Sequence, residues 1–274
     1  MADTSTTEPN SGSSTGSSPD PTVELLDLAV DLVRRAGELT LEWFRSDALV
    51  VERKPDGTPV TEADKAAEQF LRDEISSRFP DDAIIGEEHG MAAGRSGRTW
   101  ILDPIDGTKA FTHGVPLYTN LLAVDDEAGP AIGVINMPAL GETVYAARGQ
   151  GCFVDGRPAR VSDRTRLEGS YLSSCGYDYW TDEMLAAAHR SGAILRTWGD
   201  GYGYALVATG RIDAMCDPVV ALWDVAPMPV VLAEAGGRFT DLDGNEDPAR
   251  GTGLATNGHL HDEWLARLAG LPRT

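Results

Sequence analysis

Apolar side chains at Val23, Leu26, Val30, Val33, Ala36, Leu39 and Trp43 recur at helical spacing and predict a long amphipathic helix over residues 23–45, with Thr22 as its N-cap. A short strand over 49–53 and a turn over 54–59 follow, and Val60 and Thr61 lead into a second helix over 62–78. Glu62 and Asp64 suit the positive end of that helix, and Pro80 stops it. Strand composition marks 83–86, 100–102, 118–125, 131–137, 143–147 and 152–154, with 126–130 and Asp155-Gly156 as turns. From residue 171 strands and helices alternate: strands at 171–174, 193–197, 212–216, 238–240 and 253–256, helices at 182–191, 202–209, 223–235 and 261–269. Gly192, Gly210 and Gly236-Gly237 close three of these helices. Antiparallel-looking strands followed by short-looped alternation predict a layered α/β body.

The 274 residues and 42% hydrophobic content support a sizeable core. Residues 1–21 are almost entirely small and polar and cannot bury enough apolar surface to order, so a disordered tail is expected there. Residues 22–272 are expected to form a single domain, with an α+β part over 22–160 and an α/β part over 161–272. The net charge of −20, from 43 acidic against 23 basic residues, argues against nucleic-acid and anionic-membrane partners. An anionic substrate would be repelled unless its site carried cations. Cys152, Cys175 and Cys216 are odd in number, far apart and without zinc or redox spacing, which suggests free thiols in a reducing cytoplasm. No apolar run is long enough to span a bilayer.

The densest chemistry lies in Trp100-Ile101-Leu102-Asp103-Pro104-Ile105-Asp106-Gly107-Thr108. The apolar residues read as the end of a buried strand, and Pro104 turns the chain with both carboxylates at the turn. Gly107 leaves room for close backbone approach, and Thr108 can cap a following helix. Hard cations such as Mg²⁺ take oxygen ligands, often carboxylates together with substrate phosphate. Glu87-Glu88 follows another strand, and Asp224 opens a helix after Leu222-Trp223. Asp64 and Asp224 also suit helix dipoles with no further role, and Asp-Pro is a common turn.

Asp103-Pro104-Ile105-Asp106-Gly107-Thr108, Gly86-Glu87-Glu88, Trp223-Asp224-Val225-Ala226 with Glu234-Ala235-Gly236-Gly237, and Val60-Thr61-Glu62-Ala63-Asp64 together resemble, in order and spacing, the motif set of the inositol monophosphatase family. The resemblance covers essentially residues 23–270. It implies the five-layer αβαβα sandwich of the inositol monophosphatase/fructose-1,6-bisphosphatase type, hydrolysis of a small-molecule phosphate monoester, and a homodimer. It also implies that Glu87, Asp103, Asp106, Asp224 and the main-chain carbonyl of Ile105 bind two or three Mg²⁺ ions. By the same resemblance Asp64, Thr108 and Glu87 hold the attacking water, and the backbone N–H groups of Gly107 and Thr108 cradle the phosphate.

Arg196-Thr197-Trp198-Gly199-Asp200-Gly201-Tyr202-Gly203-Tyr204 resembles a segment of the family's histidinol-phosphate-hydrolysing branch. Asp217 stands where the family places an acidic residue near the organic part of the substrate. Histidinol phosphate carries an ammonium and an imidazole, which two carboxylates would attract. Arg196, Asp200 and Asp217 are therefore the expected substrate-binding residues. Other readings stay open: Asp200 can be a loop residue capping the helix at Tyr202, Asp217-Pro218 can be a turn, and Arg196 can pair with Asp200 or meet another subunit. The rival substrates are inositol-1-phosphate and sugar phosphates, and the remote rival is a non-catalytic binding protein of the same fold. His259 and His261 read as structural.

Overall fold

The computed structural model describes residues 21–55 and 57–273. The expected tail thus lies outside the described residues except for Pro21, which opens the first helix. Helix α1 (Pro21–Trp43) begins two residues before its apolar periodicity, because proline suits the first helical position. Thr22 therefore sits inside the first turn and is not the N-cap. Strands β1 (Val51–Arg53) and β2 (Pro59–Thr61) form an antiparallel hairpin that delivers the chain into α2 (Glu62–Arg78).

Strand β3 (Ala83–Gly86) turns back into β4 (Gly90–Ala92), an exposed edge strand without the alternation that would mark it in the sequence. Next come β5 (Thr99–Asp106), the short helix α3 (Thr108–Thr112), and the antiparallel run β6 (Thr119–Asp126), β7 (Gly129–Met137), β8 (Glu142–Ala147), β9 (Gly151–Val154) and β10 (Arg157–Pro158). These strands form one sheet ordered β10-β9-β8-β7-β6-β5-β3-β4, in which only the β3–β5 pair is parallel. The second part contains β11 (Tyr171–Ser173), α4 (Asp182–Arg190), β12 (Ile194–Arg196), α5 (Asp200–Ala208), β13 (Ala214–Asp217), α6 (Leu222–Val225), α7 (Met228–Ala235), β14 (Arg238–Thr240), β15 (Gly253–Thr256) and α8 (His261–Leu268). Its sheet is ordered β12-β11-β13-β15-β14.

Alternation along the strands sorts the core into layers. Leu122 and Val134 face α1 and α2, against Leu32, Val33, Leu71 and Ile75. Leu121 and Ile135 face the other way, onto α5 and α7, which also cover Met215, Phe239 and Ala255 of the smaller sheet. The far face of that sheet, with Leu172, Ala214 and Leu254, is covered by α4 and α8 through Met184 and Trp264. The order is helix, sheet, helix, sheet, helix: the five-layer αβαβα sandwich. No helix among the described residues is long and apolar enough to cross a membrane.

Two differences from the expected elements bear on the site. The strand expected to end at Leu102 runs on to Asp106, and its register against β6 shifts between Asp103 and Asp106. Pro104 has no N–H for the ladder, so the strand bulges there instead of turning away. Buried Asn120 repairs the gap: its Nδ2 donates to the Pro104 carbonyl at 2.6 Å, and its Oδ1 accepts from Asn136 Nδ2 at 2.9 Å. The helix expected over 223–235 is broken into α6 and α7, because Pro227 cannot donate a helical hydrogen bond.

Asn120→Ala should leave the Pro104 carbonyl and Asn136 Nδ2 without the partners they have here and lower stability by about 1–3 kcal/mol for each. Urea unfolding measures this, and a loss below about 1 kcal/mol would show that the amide does not hold the bulge.

Candidate functional site

Five elements bring carboxylates to one place. Strand β5 supplies Asp103 and Asp106 on either side of its bulge, and β3 ends immediately before Glu87. The first turn of α2 gives Asp64, α6 gives Asp224, and the first residue of α5 is Asp200. One oxygen from each of Asp103, Asp106 and Asp224 lies within 4.8 Å of the others. Asp103 and Asp106 are only 1% and 7% exposed. Protein donors take part of this acceptor capacity. Asp103 Oδ1 accepts from Ile105 N at 3.1 Å, and Asp224 Oδ2 from Ala221 N at 2.8 Å. Asp106 Oδ2 accepts from Thr119 Oγ1 at 2.7 Å and from Gly201 N.

Burial and mutual repulsion push these acids up. The Asp103 carboxyl lies well above the ordinary range through burial, then Glu87 and Asp106; Asp106 does so through burial, then Asp200 and Asp224. Asp224 and Asp200 are raised to about 7, burial being the largest cause in each. Asp64 is also raised to about 7 by burial, against hydrogen bonds from Thr61 that favour its charge. Thr61 donates to Asp64 Oδ2 from both N and Oγ1, while Asp64 Oδ1 is buried without a partner. Like charges this close and this buried need a counter-cation. The donor set is oxygen throughout, with no imidazole or thiolate, which suits Mg²⁺ better than zinc.

The remaining expected residues fall as follows. Gly107 is left-handed, at φ 80°, and is itself the N-cap of α3. Thr108 lies inside that helix, and its Oγ1 donates to the Ile105 carbonyl at 3.1 Å, so Thr108 is not the cap. Asp200 lies directly against Gly107, where an added Cβ would stand 2.8 Å from Asp200 Oδ2. Asp200 is neither a loop residue nor a cap for Tyr202; it is the first residue of α5, at φ 56°. Asp217 is buried and accepts from Ser174 Oγ at 3.1 Å, Cys175 N at 2.8 Å and Tyr204 OH at 3.0 Å. Arg196 is exposed on edge strand β12, with its guanidinium 5.6 Å from the ring centres of Tyr171 and Trp198, and it makes no ion pair with Asp200. His261 is buried between the Thr240 and Thr256 hydroxyls, each at 3.0 Å.

Two residues at the site escape the sequence reading. Lys54 Nζ lies 2.7 Å from both Glu87 Oε1 and Glu88 Oε1; burial opposes its charge, but these two hydrogen bonds outweigh it and raise its pKa. Glu68 is fully buried and binds the backbone after Glu87. A signal existed for Glu68: it stands four residues after Asp64, so two acids fall on the buried face of α2 with Ala67 and Leu71. Lys54 gave none, lying in what reads as a plain turn.

A family model described as the inositol monophosphatase family matches residues 22–271. The chain belongs to the inositol monophosphatase family. Within that family it is 43% identical over 252 residues to a histidinol-phosphatase of Mycobacterium tuberculosis, covering 89% of this chain and 97% of the relative. It is 41% identical over 235 residues to a histidinol-phosphatase of Chlorobaculum parvum, covering 84% and 91%. A solved inositol monophosphatase from Thermotoga maritima superposes with a TM-score of 0.82 at 34% identity, over 89% of this chain and 96% of the other. This inositol monophosphatase family member is a phosphatase.

The raised acids set a pH dependence for the metal-free protein. A carboxyl whose folded pKa exceeds its unfolded value stabilises the fold below the unfolded value and loses that contribution as pH rises through the folded one, here about 7 for Asp64, Asp200 and Asp224. Metal-free protein should therefore melt lower at about pH 7.5 than at about pH 5.5, and Mg²⁺ should raise the melting temperature more at the higher pH. Thermal melts at both values test this; an equal Mg²⁺ effect at both would contradict it.

Proposed function

We propose that the protein hydrolyses L-histidinol phosphate to L-histidinol and inorganic phosphate with Mg²⁺ as cofactor. The observation that carries this reading is the Asp200 carboxylate seated against Gly107, beside the carboxylate cluster. An acid there suits a leaving group bearing an ammonium and an imidazole, and a polyol gains no such charge-assisted bond. The names of the two relatives above support the same substrate. We treat residues 22–272 as one catalytic domain whose two parts meet at the site, since Asp64 to Asp106 come from one and Asp200 to Asp224 from the other.

In this reading Glu87, Asp103, Asp106, Asp224 and the Ile105 carbonyl hold the ions. Bound Mg²⁺ supplies Lewis acidity toward the phosphate oxygens and the attacking water. The backbone N–H groups of Gly107 and Thr108 receive the phosphate, and Gly107 lets the chain approach it closely. Asp64, with a free Oδ1 and a raised pKa, orients the water and accepts its proton, and Thr108 and Glu87 share in holding that water. Asp200 takes the substrate's cationic end. Asp217 is engaged by three protein donors, so it reinforces the negative field at Asp200. Arg196 orders Trp198, two residues ahead of Asp200, by stacking.

Phosphate release from L-histidinol phosphate and inositol-1-phosphate, with an EDTA control, tests the assignment. Asp200→Asn should lower kcat/KM for histidinol phosphate roughly ten- to a hundredfold, the worth of a charge-assisted hydrogen bond. The polyol phosphate should lose little. Equal losses on the two substrates would overturn the role of Asp200.

A further inference from the structure

We propose that Glu68 and Arg72, one helical turn apart on α2, are a positioning pair that fixes Glu87 for cation binding. Glu68 Oε2 accepts from Glu88 N at 2.7 Å, and Oε1 from His89 N at 3.1 Å. Arg72 Nε donates to the same Oε1 at 2.7 Å, and its Nη2 donates to the Gly90 carbonyl. Three consecutive backbone groups after Glu87 are thus held by two side chains of one helix. On the other side, Glu87 N donates to the Leu102 carbonyl, one residue before Asp103. Gly86 completes the fit, because a Cβ there would stand 2.1 Å from Glu68 Oε1.

The chemistry requires a carboxylate at position 68. Both oxygens must accept, one of them twice, and a glutamine would turn an N–H₂ group against a backbone N–H. Glu68 is fully buried and Arg72 partly so, and loss of Arg72 would leave the buried Glu68 carboxylate without its ion-pair partner. The same helix carries Asp64 one turn earlier, so α2 sets the spacing between Asp64 and Glu87. Mere anchoring of the β3–β4 turn would need none of this alignment with the cluster. The pair acts through Glu87, and the inference rests on Glu87 being an ion ligand.

Calorimetric titration of Mg²⁺ into metal-free wild type, Glu68→Gln, Arg72→Met and Glu87→Gln tests it, with hydrogen exchange over residues 86–90 and a thermal melt on each. Glu68→Gln should bind Mg²⁺ roughly ten- to a hundredfold more weakly, as loss of a group that orients a ligand does. Its amides at 88 and 89 should exchange faster in the metal-free state, and the Mg²⁺ half-saturation of activity should rise by the same factor. KM for substrate at saturating Mg²⁺ should stay within about twofold. Arg72→Met should move these readouts in the same direction, and serves alone if Glu68→Gln fails to fold. If a folded clamp variant melts lower yet binds Mg²⁺ like wild type while Glu87→Gln does not, the pair is only an anchor and the proposal falls. If Glu87→Gln also binds Mg²⁺ like wild type, the ligand role of Glu87 fails first.

Discussion

The convergence of Asp103, Asp106 and Asp224 within 4.8 Å is a constraint that the surrounding structure must meet. Such acids are pushed toward their protonated forms by burial and by one another, so the metal-free fold works against its own site. The larger sheet meets the constraint with rigid, buried backbone. The β5 bulge at Pro104 places Asp103 and Asp106 on either side of a strand interruption, and the Asn120–Asn136 amides satisfy the carbonyl that the interruption exposes. The second sheet and its helices bring Asp224 and Asp200 from the opposite side. Oxygen donors, high local negative charge and the unpartnered Asp64 Oδ1 fit hard divalent cations.

A net charge of −20 repels an anionic phosphate ester, and divalent cations held at the carboxylate cluster would answer that repulsion. In the proposed reading such ions offset the carboxylates and draw the phosphate. Under the proposed function, the negative charge at Asp200, reinforced by Asp217, favours a cationic leaving group.

The layered α/β class and most strands were legible because periods of two and of 3.6 residues are strong along this chain. Breaks were harder. Pro104 reads locally as a turn, yet β6 alongside provides Asn120, a partner far away in sequence, and the strand continues. Pro227 lies inside an apolar helical pattern, and its effect is a break between α6 and α7. Motif carboxylates were legible from the family resemblance, but their convergence was not, since it depends on both sheets. Glu68 carried a faint signal as a buried acid at helical spacing from Asp64, and Lys54 carried none.

A divalent-cation site at this carboxylate cluster should be visible directly. Mn²⁺ scatters anomalously and accepts the same oxygen ligands as Mg²⁺. Crystals soaked in Mn²⁺ should give anomalous peaks among Asp103, Asp106, Asp224 and Glu87, and the peaks should fade when excess Mg²⁺ competes. An Mn²⁺-soaked crystal with no anomalous density between these carboxylates would contradict the claim.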